Sequence, residues 1–488
     1  MTDSITKHTK NYNCFRKCLV LTSRPMSRIV NKHTNSFIGE LLSHEKVIYY
    51  RLKLKSGNIR RIHTMKCRLW NISSEVAGCA IILAAMILPV CAVMGDDAVK
   101  GGWTAFRGAG NLAVSPDTNT AVTWDVNGGK GILWKADLPL PGSGSAIVSG
   151  NNVMVCSAAG NQGAIFCYDA KSGNLLWKGT VPLKGKPEVF EEETTTFAPA
   201  TPVTDGKRVF AIFATGTVAA FNMDGSTAWI ADLGLPEINY GYVSSPVLYN
   251  NLLLVQHDQS DEKAALVAFD AQTGKEAWRT KRSMGASWCS PGIVETAKGP
   301  QIILVSCGGV AAYDPKDGHE IWAVKNECND IVPSPAFIKG LVIATNGKCT
   351  LAIRPDGAGD VTKTHVAWRN DEAGSDVASP VASGDCVFVA ATAVLCLNAT
   401  DGKKVGEREV EGQIYASPVV AGGKLYLINR DGAAVILKAD KTLEVLGKAS
   451  FGEPVDATPA VSGGCLYVRT LKKLICIAPA GDVAAPKP

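Results

Sequence analysis

The chain has 488 residues, 46% hydrophobic and 19% charged, enough apolar content to bury a sizeable core. Its formal charge of +5 is unevenly placed: residues 1–64 hold thirteen Lys/Arg and three Asp/Glu, leaving 37 basic and 42 acidic groups in residues 65–488. That mildly acidic remainder lacks the basic surface that nucleic-acid binding needs, and this class of partner is excluded.

Residues 1–64 show no sustained apolar periodicity and read as a basic leader outside the folded protein. Met65 opens a different pattern: Lys66 and Arg68, the apolar run Val76 to Met94, and a small-residue cleavage site at Val93-Met94-Gly95 before Asp96. This predicts a secretory signal peptide over 65–95 and a product in the periplasm or cell envelope. Two other readings stay open, an uncleaved anchor, since the run is just long enough to span a bilayer, and a lipid anchor at Cys91.

Residues 96–141 form a lead-in that contains Trp103, Phe106-Arg107-Gly108 and one clear strand, Ile132–Leu138. From 142 to 482 a unit of short apolar strands recurs, followed by a tail over 483–488. Units begin at Gly144-Ser145-Ala146, then at Pro202, Pro246, Pro291, Pro335, Pro380, Pro418 and Pro459, each proline preceded by Ser or Thr. These prolines are 44, 45, 44, 45, 38 and 41 residues apart. A repeat of this length built from short strands signals a propeller. Trp177, Trp229, Trp278, Trp322 and Trp368 mark unit ends, with Val405 and Leu446 where the sixth and seventh tryptophans would fall. The eighth unit stops after three strands, near Ile475-Cys476-Ile477, while Trp134 sits on a fourth-strand sequence with no unit before it. The prediction is an all-β, eight-bladed propeller of four-stranded antiparallel blades, its last blade closed by Ile132–Leu138, since an open ring leaves unpaired edges.

Asp169 to Gly173, Asp270 to Gly274 and Asp314 to Gly318 each spell a turn that needs an Asx acceptor and a glycine at positive φ. The tryptophans, Trp134 included, are expected to pack over the neighbouring blade's turn with the indole N–H bonded. Ten cysteines follow the leader and fall in pairs within units: Cys156/Cys167, Cys289/Cys307, Cys328/Cys349, Cys386/Cys396 and Cys465/Cys476. In an exported protein they read as five disulfides, three of them between residues facing each other across a hairpin.

The run Ala268-Phe269-Asp270-Ala271-Gln272-Thr273-Gly274-Lys275-Glu276-Ala277-Trp278, echoed in Cys167–Trp177 and Ala312–Trp322, resembles the tryptophan-docking motif of the pyrroloquinoline-quinone (PQQ)-type propeller superfamily. The resemblance extends over about 103–480. It implies the eight-bladed fold and either of two function classes, PQQ- and calcium-dependent alcohol or sugar dehydrogenases, or non-enzymatic scaffolds resembling the outer-membrane assembly propeller (BamB-like). No two cysteines are adjacent, as they are over the cofactor in many quinoprotein alcohol dehydrogenases, and no Cys-x-x-Cys-His attaches haem. His257, His319 and His365 are isolated, and no Walker loop, nucleophile elbow or zincin helix occurs. The expectation is an exported, non-catalytic scaffold for an envelope protein or peptide, with no cofactor, no metal and no catalytic residues. The alternative is a dehydrogenase binding PQQ and calcium, with Asp330, Asp376 or Asp456 as ligand or base.

Residues just before each innermost strand are expected at the mouth of the central channel: Phe197, Tyr240, Tyr242, Trp288, Asp330, Asp376, Tyr415 and Asp456. Aromatic groups beside carboxylates suit a small ligand, a cation or a peptide. Glu191-Glu192-Glu193 reads as a solvated loop, and His257-Asp258 with Asp261 and Glu262 as an exposed turn.

Overall fold

A computed structural model describes residues 102–187, 198–238, 241–259, 262–283, 285–328 and 331–481. The expected leader, the signal peptide, the tail from 482 and the Glu191-Glu192-Glu193 loop lie outside these residues, as do Phe197, Tyr240 and Asp330.

The described chain is an eight-bladed propeller of four-stranded antiparallel blades, its one helical element being the short 3₁₀ turn Ala109–Asn111. Blade 3 shows the build. Val247–Tyr249 lines the channel, and Leu252–His257, Ala265–Asp270 and Glu276–Lys281 follow outward, each hydrogen-bonded to the one before. Burial follows the same order. The two middle strands are buried on both faces, and the outermost alternates between exposed and half-buried residues. The reason is stacking: Leu254, Leu266 and Ala268 of blade 3 pack on Ile302, Leu304 and Tyr313 of blade 4, so both faces of a middle strand need apolar side chains.

The last blade holds Ala460–Ser462, Cys465–Arg469 and Lys473–Ile477, and its fourth strand is Ile132–Asp137. Trp134 aligns with Cys476 and Asp137 with Lys473. Two blades carry a fifth, parallel strand. Val114–Ser115 runs beside Val419–Ala421 of blade 7, and Gly359–Asp360 beside the outer strand of blade 4.

The Trp–turn contact repeats from blade to blade. The indole nitrogens of Trp134, Trp229 and Trp368 donate to the carbonyls of Ala170, Ala271 and Ala399 at 2.9, 3.0 and 3.0 Å, and that of Trp278 to Pro315 at 3.2 Å. Beneath each ring lies the next turn's glycine: Gly173, Gly225, Gly274, Gly318 and Gly402 under Trp134, Trp177, Trp229, Trp278 and Trp368. Trp322 departs from the pattern, because blade 5 has no Thr-Gly turn. Its indole is fully buried in its own blade and donates to Gln301 Oε1 at 2.9 Å.

Strand register corrects the sequence reading in blades 6 and 7. The tryptophan position is held by Gly406, opposite Cys396, and by Gly447, opposite Ile436, not by Val405 or Leu446. A Cβ at either glycine would lie about 2 Å from a neighbouring carbonyl oxygen, that of Lys441 or Val122, so backbone takes the space an indole fills elsewhere.

The cysteines differ from expectation in register. The ten are thiols in this structure. Cys156 aligns with Ile165 and Cys167 with Met154; Cys386 aligns with Asn398 and Cys396 with Phe388; Cys476 aligns with Tyr467. All three hairpin pairs are therefore diagonal, two residues out of direct opposition. Diagonal Cα atoms stand about 7–8 Å apart, beyond the roughly 4.4–6.8 Å of a disulfide.

Candidate functional site

Each unit begins with Ser or Thr because that hydroxyl joins its blade to the previous one. The backbone N–H of Ser145 donates to Thr201 Oγ1 at 2.9 Å, and the relation repeats from Thr201 to Ser245, Ser245 to Ser290 and Ser290 to Ser334. It continues from Ser334 to Ser379, Ser379 to Ser417 and Ser417 to Thr458, every bond between 2.9 and 3.0 Å. These hydroxyls ring a central cavity of about 440 Å³. The recurrence of Ser/Thr-Pro was visible in the sequence, but it read as the start of a strand, and the lateral bonds need the closed ring.

The lead-in forms the floor. Trp103 bridges to Val148 in blade 1, and the Thr104 carbonyl accepts from Thr204 in blade 2. Phe106 lines the cavity, and Arg107, fully buried, donates through Nη1 to the Pro335 carbonyl at 2.9 Å and through Nη2 to that of Pro380. Asn111 donates to the Pro291 carbonyl. The segment thus crosses the channel and binds the inner strands of six blades. Arg107, Asn111 and Ala113 take φ values of 59°, 60° and 56°, a left-handed conformation unfavourable for these residues and held by those bonds. Burial lowers the Arg107 pKa to about 9, so it carries its charge at neutral pH.

Of the expected mouth residues, the structure brings three together. Trp288 lines the cavity with its indole donating to the Gly241 carbonyl at 2.8 Å. Tyr415 lines it too, its ring 4.1 Å from the Arg430 guanidinium, and Asp456 accepts from Arg430 Nε at 2.9 Å. Arg430 is the member the sequence reading missed; it lies on a strand end in blade 7 with no motif around it. Tyr242 and Asp376 are set apart from the cavity. Tyr242 turns into the blade core, where its hydroxyl donates to the Gln256 carbonyl at 3.0 Å. Asp376 is exposed and lies against Gly347 of blade 5.

His257-Asp258 corrects the exposed-turn reading, for both residues are buried. Asp258 accepts from Arg282 Nε at 2.8 Å, Ser287 Oγ at 2.6 Å and Gln256 Nε2 at 2.7 Å. Arg282 also donates to Tyr313 Oη at 2.5 Å. An ion pair with this many partners is a brace between blades 3 and 4.

Calcium takes six to eight oxygen ligands. Among the described residues no three carboxylate, thiol or imidazole groups converge on one point, and Asp456 is committed to Arg430. The described donor set does not fit that ion.

A family model described as outer membrane protein assembly factor BamB matches residues 67–240, 161–393 and 357–446, which together span well over half of the chain. The outer membrane protein assembly factor BamB of Burkholderia pseudomallei (strain K96243) is 23% identical over 351 residues, covering 62% of this chain and 86% of that protein. A polyvinylalcohol dehydrogenase from a Pseudomonas species is 27% identical over 164 residues, 30% of this chain but only 24% of the dehydrogenase. Among solved structures, BamB from Moraxella catarrhalis superposes with a TM-score of 0.54 at 14% identity, over 72% of this chain and 99% of the other. The quinohemoprotein alcohol dehydrogenase ADHIIG from Pseudomonas putida HK5 gives 0.58 at 11% identity, over 80% and 83%. At such identities the superpositions establish a shared fold.

Proposed function

The chain belongs to the outer membrane protein assembly factor BamB family, and from that premise we propose that it is an exported, non-catalytic propeller that binds a protein partner in the bacterial cell envelope. The observation that carries this reading is how the cavity groups are already committed. The ring of hydroxyl oxygens accepts backbone N–H groups, Asp456 is paired with Arg430, and the Trp288 indole is bonded to Gly241. A general base or metal ligand needs a carboxylate free to meet substrate, and the mouth's described carboxylate is not. Recognition asks less, namely a fixed rim with an aromatic face, and Tyr415 with Arg430 supplies one.

The fold is equally that of quinoprotein dehydrogenases, so the competing reading is a PQQ- and calcium-dependent oxidoreductase. The test adds PQQ and Ca²⁺ to the purified chain and follows cofactor absorbance, melting temperature and dye-linked oxidation of alcohols and sugars. No saturable binding at micromolar PQQ is expected; binding with turnover would overturn the scaffold reading. In parallel, a photo-crosslinking residue at Tyr415 should trap one discrete envelope protein in cells, and the same residue at exposed Lys339 should not.

A further inference from the structure

Four cysteines gather where blades 4 and 5 meet the mouth. Cys307 follows the strand Gly299–Ser306, and Cys328 lies three residues beyond Glu320–Lys325, the outermost strand of the same blade. The two antiparallel strands flanking them converge here: Gly309 aligns with Lys325, Asn326 N–H donates to the Gly308 carbonyl at 3.2 Å, and Cys328 N–H donates to the Cys307 carbonyl at 2.9 Å. Residues joined by such a ladder bond have Cα atoms about 5.5 Å apart, inside the roughly 4.4–6.8 Å a disulfide spans. Both residues are half-buried, within reach of a small oxidant. Cys289 and Cys349 differ on each count. They are buried, Cys289 Sγ points at the Ile331 carbonyl and Cys349 Sγ at Asn326, and burial raises both thiol pKa values.

We propose that Cys307 and Cys328 form a redox-active pair whose disulfide staples the loop leading to the cavity mouth, in place of the Cys289–Cys307 and Cys328–Cys349 bridges that sequence proximity suggests. The loop matters because Ile331 accepts from the Trp288 N–H at 2.9 Å and Val332 lines the cavity. The oxidant is a small disulfide such as oxidised glutathione. One cysteine thiolate attacks it and releases a first glutathione, and the second thiolate displaces the other. Two protein thiols are oxidised, one glutathione disulfide is reduced to two thiols, and the two protons pass to the departing sulfurs.

The four cysteines lie on separate tryptic peptides, divided by Lys298, Lys316, Lys325, Lys339 and Lys348. The test equilibrates the native full chain with oxidised glutathione, alkylates remaining thiols, digests without reduction and maps cross-links by mass spectrometry. A Cys307–Cys328 cross-link is expected, with Cys289 and Cys349 alkylated only after denaturation. Reduction should speed amide exchange in peptides carrying Cys328 and Ile331 severalfold, and Cys328→Ser should match the reduced protein while keeping its fold by circular dichroism. Any other connectivity among the four, no cross-link, or exchange that ignores redox state overturns the proposal. This readout needs no partner and is independent of the scaffold reading.

Discussion

Asp258 Oδ1 and Arg282 Nε lie 2.8 Å apart with both side chains wholly buried, one from the end of a second strand and the other just past the fourth strand of the same blade. Burying two charges is tolerable only when each is paired and bonded, and removing one partner strands the other. Asp258→Asn is therefore expected to lower stability by about 3–5 kcal/mol. The double replacement Asp258→Leu/Arg282→Met should cost clearly less than the sum of the single changes. Urea unfolding of the four proteins checks both.

His257 predicts a pH dependence. Burial, aided by Arg279 and opposed by Asp258, lowers its pKa from 6.5 to about 4. The unfolded chain therefore binds a proton that the folded chain refuses between these values. The contribution is complete above about pH 6.5 and is lost as pH falls toward 4, amounting to roughly 3 kcal/mol. Plotting unfolding free energy against pH should show a shallower slope in this window for His257→Gln.

Gly402 sits at φ +70° with Trp368 against it, and a Cβ there would lie 2.5 Å from the indole. Gly402→Ala should cost about 2–4 kcal/mol, combining a left-handed backbone penalty with overpacking. Calorimetry would register this as a lowered melting temperature, and Trp368→Phe should relieve part of it by shrinking the ring.

The repeat pattern recommends tryptophan at position 406; the structure forbids it. With the Lys441 carbonyl 2.2 Å from where a Cβ would sit, Gly406→Trp should destabilise by about 3 kcal/mol or fail to fold. A stabilised variant would mean that blade 7 can withdraw to admit the indole.

The blade count, the strand order and the Trp–turn contact were legible in the chain because each arises within one or two successive units. A strand, its turn and the next strand are local, and local patterning repeats with a period that can be counted. Even the closing strand was readable, since a surplus fourth strand at one end matches a deficit at the other. Gly406, Tyr242 and the hairpin cysteines were misplaced for one reason: a single-residue bulge or a diagonal register changes a side chain's neighbour without altering composition.

The cavity is another matter. Arg107 meets Pro335 and Pro380 across 228 and 273 residues, and each hydroxyl bond of the ring joins neighbouring blades. Such contacts exist only once the ring has closed and the lead-in has threaded it, and no periodicity in the chain encodes them. What the amino-acid order specifies here is the blade. The floor, the rim and the pairing of charges at the mouth come from how eight blades meet around one axis.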